Sequence, residues 1–251
     1  MLRVPAEFSN IINLNPAHPP KRGRYGRRVT RFPSRKNHCS VPCDSLLESD
    51  FCLLLERDLR VVKYESHPVT VHSLEHRARY TPDFCVHYSN GDEIFYEVKI
   101  TERMTSQRSV MTRTVFEPVF ATCGATLVTV TSAQIQEGPS LVALEKWYQY
   151  AFHSTPQRAW PVVEKLHPLS AGAPLSSLLD ENITINEVAY GLFYQLLATE
   201  NYSNFSGSSI LRANVDQNQF TRLLNQGVLP AWSHCDLNFP GLHADRPNIP
   251  R

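Results

Sequence analysis

Asp83, preceded by Pro82, and the tripeptide Glu97-Val98-Lys99 fourteen residues further on are the residues of this chain whose types and spacing could do chemistry. Two carboxylates brought together form an oxygen-ligand site for Mg²⁺, which keeps waters for reaction, and Mn²⁺ would substitute there. A lysine beside them can orient or deprotonate an attacking water and offset charge developing on a phosphate. The pattern alone is short and arises often by chance. Its competing reading is an exposed charged strand, with Phe95, Glu97 and Lys99 toward solvent, Tyr96 and Val98 inward, and cross-strand pairing as their role.

The elements around these residues favour the first reading. In Tyr80–Tyr88, Phe84, Val86 and Tyr88 alternate with polar or small neighbours; Asn90-Gly91 is a hairpin turn signal, and Glu93–Ile100 returns as the partner strand. Side chains alternate along a strand, so Glu97 and Lys99 share a face and Asp83 can meet both across the hairpin. A helix beginning at Ser45 precedes them, with Leu47, Phe51, Leu54 and Leu55 on one face. Its Glu48 has two readings of equal weight. Ser45-Leu-Leu-Glu48 fits a capping box, in which the glutamate bonds back to the helix start. Aligned with Cys52 and Leu55, the same glutamate flanks the apolar face and could reach a metal beside Asp83 and Glu97.

Further elements complete a skeleton. Val61–Glu65 and Val69–His72 read as extended runs separated by His67-Pro68, and helical character resumes over Ser106–Cys123, bent or broken near Pro118. Ala125–Val130 predicts a buried strand and Leu141–Phe152 a closing helix. The order helix, antiparallel-capable strands, helix, strand predicts an α/β protein with a restriction-endonuclease-like, PD-(D/E)XK core. Prolines crowd between Ser154 and Pro174, which predicts a boundary. The expected organisation is a basic arm at 1–40, the PD-(D/E)XK domain at 41–155, a linker at 156–173, and a small, mainly helical, winged-helix-like domain at 174–251. Helices are expected there at Leu175–Leu179, Ile185–Ala198 and Phe220–Leu224.

The 251 residues carry a net charge of only +1, unevenly distributed. Lys21, Arg22, Arg24, Arg27, Arg28, Arg31, Arg35 and Lys36 follow one another with no acidic residue among them. Such a block reads as a solvated arm or as a phosphate-binding one; beside a site suited to phosphodiesters, DNA is the expected partner. Thr101, Arg103, Gln107 and Arg108, just past the candidate site, add phosphate-binding donors. No CxxC pair occurs among the six cysteines, which predicts reduced, packing thiols. His38, Cys39 and Cys43 could offer zinc ligands, but no second cluster completes that set. No apolar run is long enough to span a bilayer and the first residues lack a signal-peptide pattern, so a cytoplasmic protein without a membrane partner is expected.

The segment DSLLESDFCLLLERD, followed by VVKYESHPVTV, RYTPDF and FYEVK, resembles the TnsA endonuclease subunit of Tn7-like transposons, including CRISPR-associated ones. The likeness runs from about Ser45 to Lys99. It places the family's helix glutamate on Glu48, its first-strand aspartate on Asp83 and its final acid–lysine pair on Glu97 and Lys99. Where many relatives have Gln-Pro this chain has His67-Pro68, and no catalytic role is carried over to His67. The resemblance implies an Mg²⁺-dependent endonuclease that cuts the 5′ ends of a transposon for cut-and-paste movement. A TnsB-like DDE transposase would cut and join the 3′ ends, and a TnsC-like AAA+ ATPase regulator would engage the C-terminal domain, which often also meets DNA. The alternatives are a stand-alone restriction or repair nuclease, and a non-catalytic DNA-binding adaptor of the same fold.

Overall fold

The computed structural model describes residues 2–16, 30–180, 182–202 and 204–231. The part of the chain expected to be an arm contributes strands β1 (Ile12–Pro16) and β2 (Thr30–Ser34), and β2 pairs antiparallel with β3 (Cys39–Cys43). Ser45 then caps helix α1 (Leu46–Arg57), its side chain accepting the amide of Glu48. Strands β4 (Val61–Ser66), β5 (Val69–Ser73) and β6 (Ala78–Tyr80) follow, then β7 (Phe84–Tyr88) and β8 (Glu93–Lys99), joined at Gly91 with φ +91°.

Next come α2 (Gln107–Met111), a π-helical turn at Thr112–Phe116, α3 (Glu117–Thr122) and β9 (Thr126–Thr131). Pro118 has no amide hydrogen for the regular ladder, and the irregular turn falls just before it. Strand β9 lies at the sheet edge and buries only Leu127, so the expectation of a buried strand is corrected. The remaining elements are α4 (Ser132–Gln136), α5 (Leu141–Ala151), α6 (Pro156–Leu166), β10 (Ala173–Pro174), α7 (Leu175–Leu178), α8 (Ile185–Phe193), β11 (Leu197–Thr199), β12 (Ile210–Ala213) and α9 (Gln217–Asn225).

The fold is mixed α/β. Its central sheet has the order β4-β7-β8-β9, antiparallel except for the last pair, β8 with β9. The extended run expected at Val69–His72 is strand β5, which does not join the central sheet but pairs with β1 and β6 in a separate one. Alternation along β7 and β8 divides the sheet into two faces. Phe84 and Tyr96 pack against Phe51 of α1, while Phe95 packs against Phe120 of α3.

The expected linker at 156–173 is corrected: its first part is helix α6, which buries Ala159, Val162, Val163 and Leu166. Pro156 sits in the first turn, where its missing amide is harmless, and Pro161 lies inside the same helix, so these prolines do not mark an open segment. One apolar core runs from α1 and the central sheet through α5 to α8 and α9. The C-terminal sheet has the order β10-β12-β11, and the helix expected over Ile185–Ala198 stops at Phe193 and gives way to β11. No helix among the described residues is long and apolar enough to cross a membrane.

Candidate active site

The register of the β7–β8 hairpin decides where the acidic residues meet. Phe84 lies opposite Tyr96, which brings Asp83, just before β7, level with Glu97. Asp83 Oδ2 accepts the amide of Val98 at 2.7 Å, and the Asp83 carbonyl accepts the amide of His67 at 2.9 Å. The aspartate is thus pinned from both neighbouring strands. Glu97 has no exposed surface, and Phe95 is buried with it. The exposed-strand reading therefore fails for both residues. Lys99 Nζ is ion-paired with Glu97 Oε1, and the Tyr80 hydroxyl donates to Glu97 Oε2 at 2.6 Å.

Glu48 joins from α1 and is 6% exposed. Its Oε2 accepts the amide of Asp44 at 2.7 Å, and its Oε1 accepts the Ser45 hydroxyl at 2.9 Å. The reach back is to the residue before the cap, a variation on the capping box. These contacts are those of a helix cap, and the charge of Glu48 also contributes to the rise at Asp83.

Burial pushes the Asp83 carboxyl well above the usual range, and the charges of Glu97 and Glu48 push it further, against the Val98 amide and Lys99. Burial likewise raises Glu48, opposed by its hydrogen bonds from Asp44 and Ser45 and by His67. The Tyr80 phenol is pushed up by burial and by Glu97, so it remains a neutral donor. Three carboxylates thus share one region with Lys99 as the cation among the four residues. An all-oxygen donor set with excess negative charge fits a hard divalent ion such as Mg²⁺, with Glu48, Asp83 and Glu97 as the residues to hold it.

Tyr80 also borders a cavity of about 480 Å³ lined by Thr70, Arg79, Thr81 and Arg108. Two arginines beside hydroxyl groups, one side chain away from Glu97, suit a phosphate backbone. Arg79 and Tyr80 were not singled out from sequence: a tyrosine in an apolar run looks like a core aromatic, and nothing in the local pattern separates the two.

The expected DNA-binding residues fall into three groups. Arg31, Arg103 and Arg108 are exposed, as is Gln107, whereas Thr101 bonds to Ser132 Oγ and the Ala133 amide and ties β8 to α4. Arg35 and Lys36 are corrected, because both are buried inside the fold. Arg35 donates to the carbonyls of Ala151 at 2.5 Å and Ser154 at 2.8 Å, and its guanidinium lies 5.2 Å from the Tyr190 ring centre. Lys36 Nζ donates to the carbonyls of Leu55, Asp58 and Val61 at 3.0, 2.5 and 2.7 Å, closing the C-terminal end of α1. Lys21, Arg22, Arg24, Arg27 and Arg28 lie outside the described residues. Cys43 packs 3.7 Å from Cys52 in the core, away from any zinc set with His38.

No protein-family model matches this chain, and no curated protein is significantly similar to it.

Proposed function

We propose that this chain is a divalent-metal-dependent DNA endonuclease with a restriction-endonuclease-like core. The observation that carries the reading is Glu97, fully buried and held by Lys99 and Tyr80, with Asp83 level across the hairpin. The sheet supports it: α1, then the antiparallel strands β4, β7 and β8, then helices, then β9 parallel to β8.

A divalent ion held by Glu48, Asp83 and Glu97 would supply Lewis acidity toward a phosphodiester. The Lys99 ammonium, partly exposed beside Glu97, orients the attacking water and offsets charge on the phosphate oxygens. Tyr80 is a positioning residue that fixes the Glu97 carboxylate. Arg79 and Arg108 bind the DNA backbone without reading bases.

From the resemblance comes a finer assignment: the endonuclease subunit of a heteromeric, Tn7-like transposase in the bacterial cytoplasm, cutting 5′ transposon ends beside a TnsB-like transposase under a TnsC-like ATPase. The C-terminal order α6, β10, α7, α8, β11, β12, with sheet order β10-β12-β11, supports a winged-helix-like unit. Residues 187–193 of α8 are all buried, so that helix is unavailable to a DNA groove. This favours protein docking over base reading for the unit.

The deciding experiment is cleavage of a transposon-end duplex with and without a DDE transposase, each strand resolved separately. The expected result is Mg²⁺-dependent cutting of the 5′ strand only when the transposase is present. Specific cutting of naked duplex by the chain alone would make it a stand-alone nuclease. Mg²⁺ affinity unchanged in Asp83→Ala would leave the adaptor reading.

A further inference from the structure

The β7–β8 hairpin carries a second group of ligand-type side chains on the same face as Asp83 and Glu97, nearer its turn. Cys85, His87 and Glu93 present ligand atoms all within 4.8 Å of one another. Cys85 Sγ lies 3.9 Å from His87 Nε2, and Glu93 Oε2 lies 3.3 Å from His87 Nδ1. Glu65 of the adjoining strand β4 adds a carboxylate 3.6 Å from His87 Nε2. Two ligands of a tetrahedral zinc ion stand about 3.3–3.7 Å apart, given bonds of roughly 2.0–2.3 Å. The separations of 3.9 and 3.6 Å about His87 Nε2 approach that edge before any ion draws the groups in.

We propose that Cys85, His87 through Nε2, and Glu65 bind a transition-metal ion of the Zn²⁺ class, separate from the carboxylate site, with Glu93 holding the other side of the imidazole. Thiolate and imidazole select such ions, whereas the all-oxygen set at Glu48, Asp83 and Glu97 suits Mg²⁺. Nε2 faces both Cys85 and Glu65 and takes the metal, while Glu93 accepts the Nδ1–H and fixes the orientation of the ring. The group opens onto a cavity of about 470 Å³, which provides a way in. Lys63 lies 3.4 Å from Glu65 and competes for that carboxylate until an ion arrives. Binding ties β4 to β7 and β8, the two strands whose far ends place Asp83 and Glu97. The ion is therefore a brace for the strands behind the carboxylate site.

Co²⁺ titrated into the metal-free full-length protein, with Mg²⁺ in excess, tests the site through the absorption of a cobalt–thiolate bond. The wild type should develop that band and saturate it at one ion per chain. Cys85→Ser should abolish it and His87→Ala should weaken it severely, while Asp83→Asn and Cys123→Ser leave it intact. Glu93→Gln, which alters a partly exposed side chain, should lower Co²⁺ affinity about 10- to 100-fold with the fold preserved by circular dichroism. It keeps the test decisive if Cys85→Ser does not fold. A wild-type protein without the band, a band that survives Cys85→Ser, or unchanged affinity in Glu93→Gln would overturn the proposal.

Discussion

Glu56 and Glu187 are as fully buried as Glu97, but their surroundings differ from those of the candidate site. Glu56 accepts from Ser34 Oγ at 2.5 Å, Tyr64 Oη at 2.9 Å and the Lys36 amide at 3.3 Å. Glu187 accepts from the Thr184 amide at 2.9 Å and Ser154 Oγ at 3.2 Å, and pairs with Arg158 at 2.9 Å. Each of these carboxylates stands alone among donors, and the donors join separate elements. At the β7–β8 hairpin, Glu97 pairs with Lys99, and the charges of Glu97 and Glu48 both bear on Asp83. Solitary, saturated charge holds a fold together, whereas clustered like charge destabilises the apo protein and is relieved by a bound cation.

Asp83→Asn keeps an acceptor for the Val98 amide while removing one of the clustered charges. DNA cleavage should fall at least ~10³-fold, equivalent to about 4 kcal/mol. Stability without metal should hold or rise. Lys99→Met should abolish cleavage to the same extent but lower stability, by about 3 kcal/mol, because Glu97 is left buried without its cation. Denaturant unfolding in chelator, set beside strand cleavage, measures both. The same stability sign in the two variants would end the contrast.

Glu56→Ala should do the reverse. Ser34, Tyr64 and the Lys36 amide lose an acceptor together, which costs about 3 kcal/mol. Cleavage per folded molecule should stay within about twofold of wild type. A large loss of activity in a folded Glu56→Ala protein would mean that the two regions are not separable.

Lys36 offers a pH test of the saturated region. Burial lowers its pKa to about 8, against the raising influence of Glu56 and Asp58. Below pH 8 the group is charged in both folded and unfolded chains, and the folded state carries the cost of the buried ammonium. Between about 8 and 10.5 the unfolded chain holds the proton more tightly, so this residue's contribution to stability improves as pH rises. Lys36→Met should remove that slope while leaving three carbonyls without their donor. Unfolding curves of both proteins between pH 7 and 10.5 check it; equal slopes would refute the assignment.

The hairpin site was legible in the sequence because its logic is local. Alternation and a short turn fix which side chains face one another, and no distant element is needed to align Asp83 with Glu97. The basic run was misjudged at Arg35 and Lys36 for the opposite reason. Their partners, at Leu55, Asp58 and Val61 and at Ala151 and Ser154, come from elsewhere in the chain, and local composition gives no sign of them. Prolines misled at 156–173 because first-turn helix proline and loop proline look alike until packing is known. The Cys85 group also went unread: its spacing fits no familiar zinc pattern, because the ligands converge across strands.

Glu48 remains the residue on which the contrast is sharpest and the effect smallest, since it belongs to both regions. It caps α1 through Asp44 and Ser45, as a saturated glutamate does, yet burial outweighs those bonds and its charge adds to the rise at Asp83. Glu48→Gln keeps one oxygen to accept from the Asp44 amide or the Ser45 hydroxyl but no longer offers a carboxylate to a metal. If Glu48 is a ligand, Mg²⁺ affinity should fall about tenfold, or roughly 1.4 kcal/mol, with less than about 1 kcal/mol change in apo stability. If it is only a cap, the apo protein should lose up to about 1 kcal/mol while Mg²⁺ affinity stays where it was. Calorimetric Mg²⁺ titration beside unfolding in chelator separates the two, because a residue that only caps the helix changes stability and leaves Mg²⁺ affinity where it was.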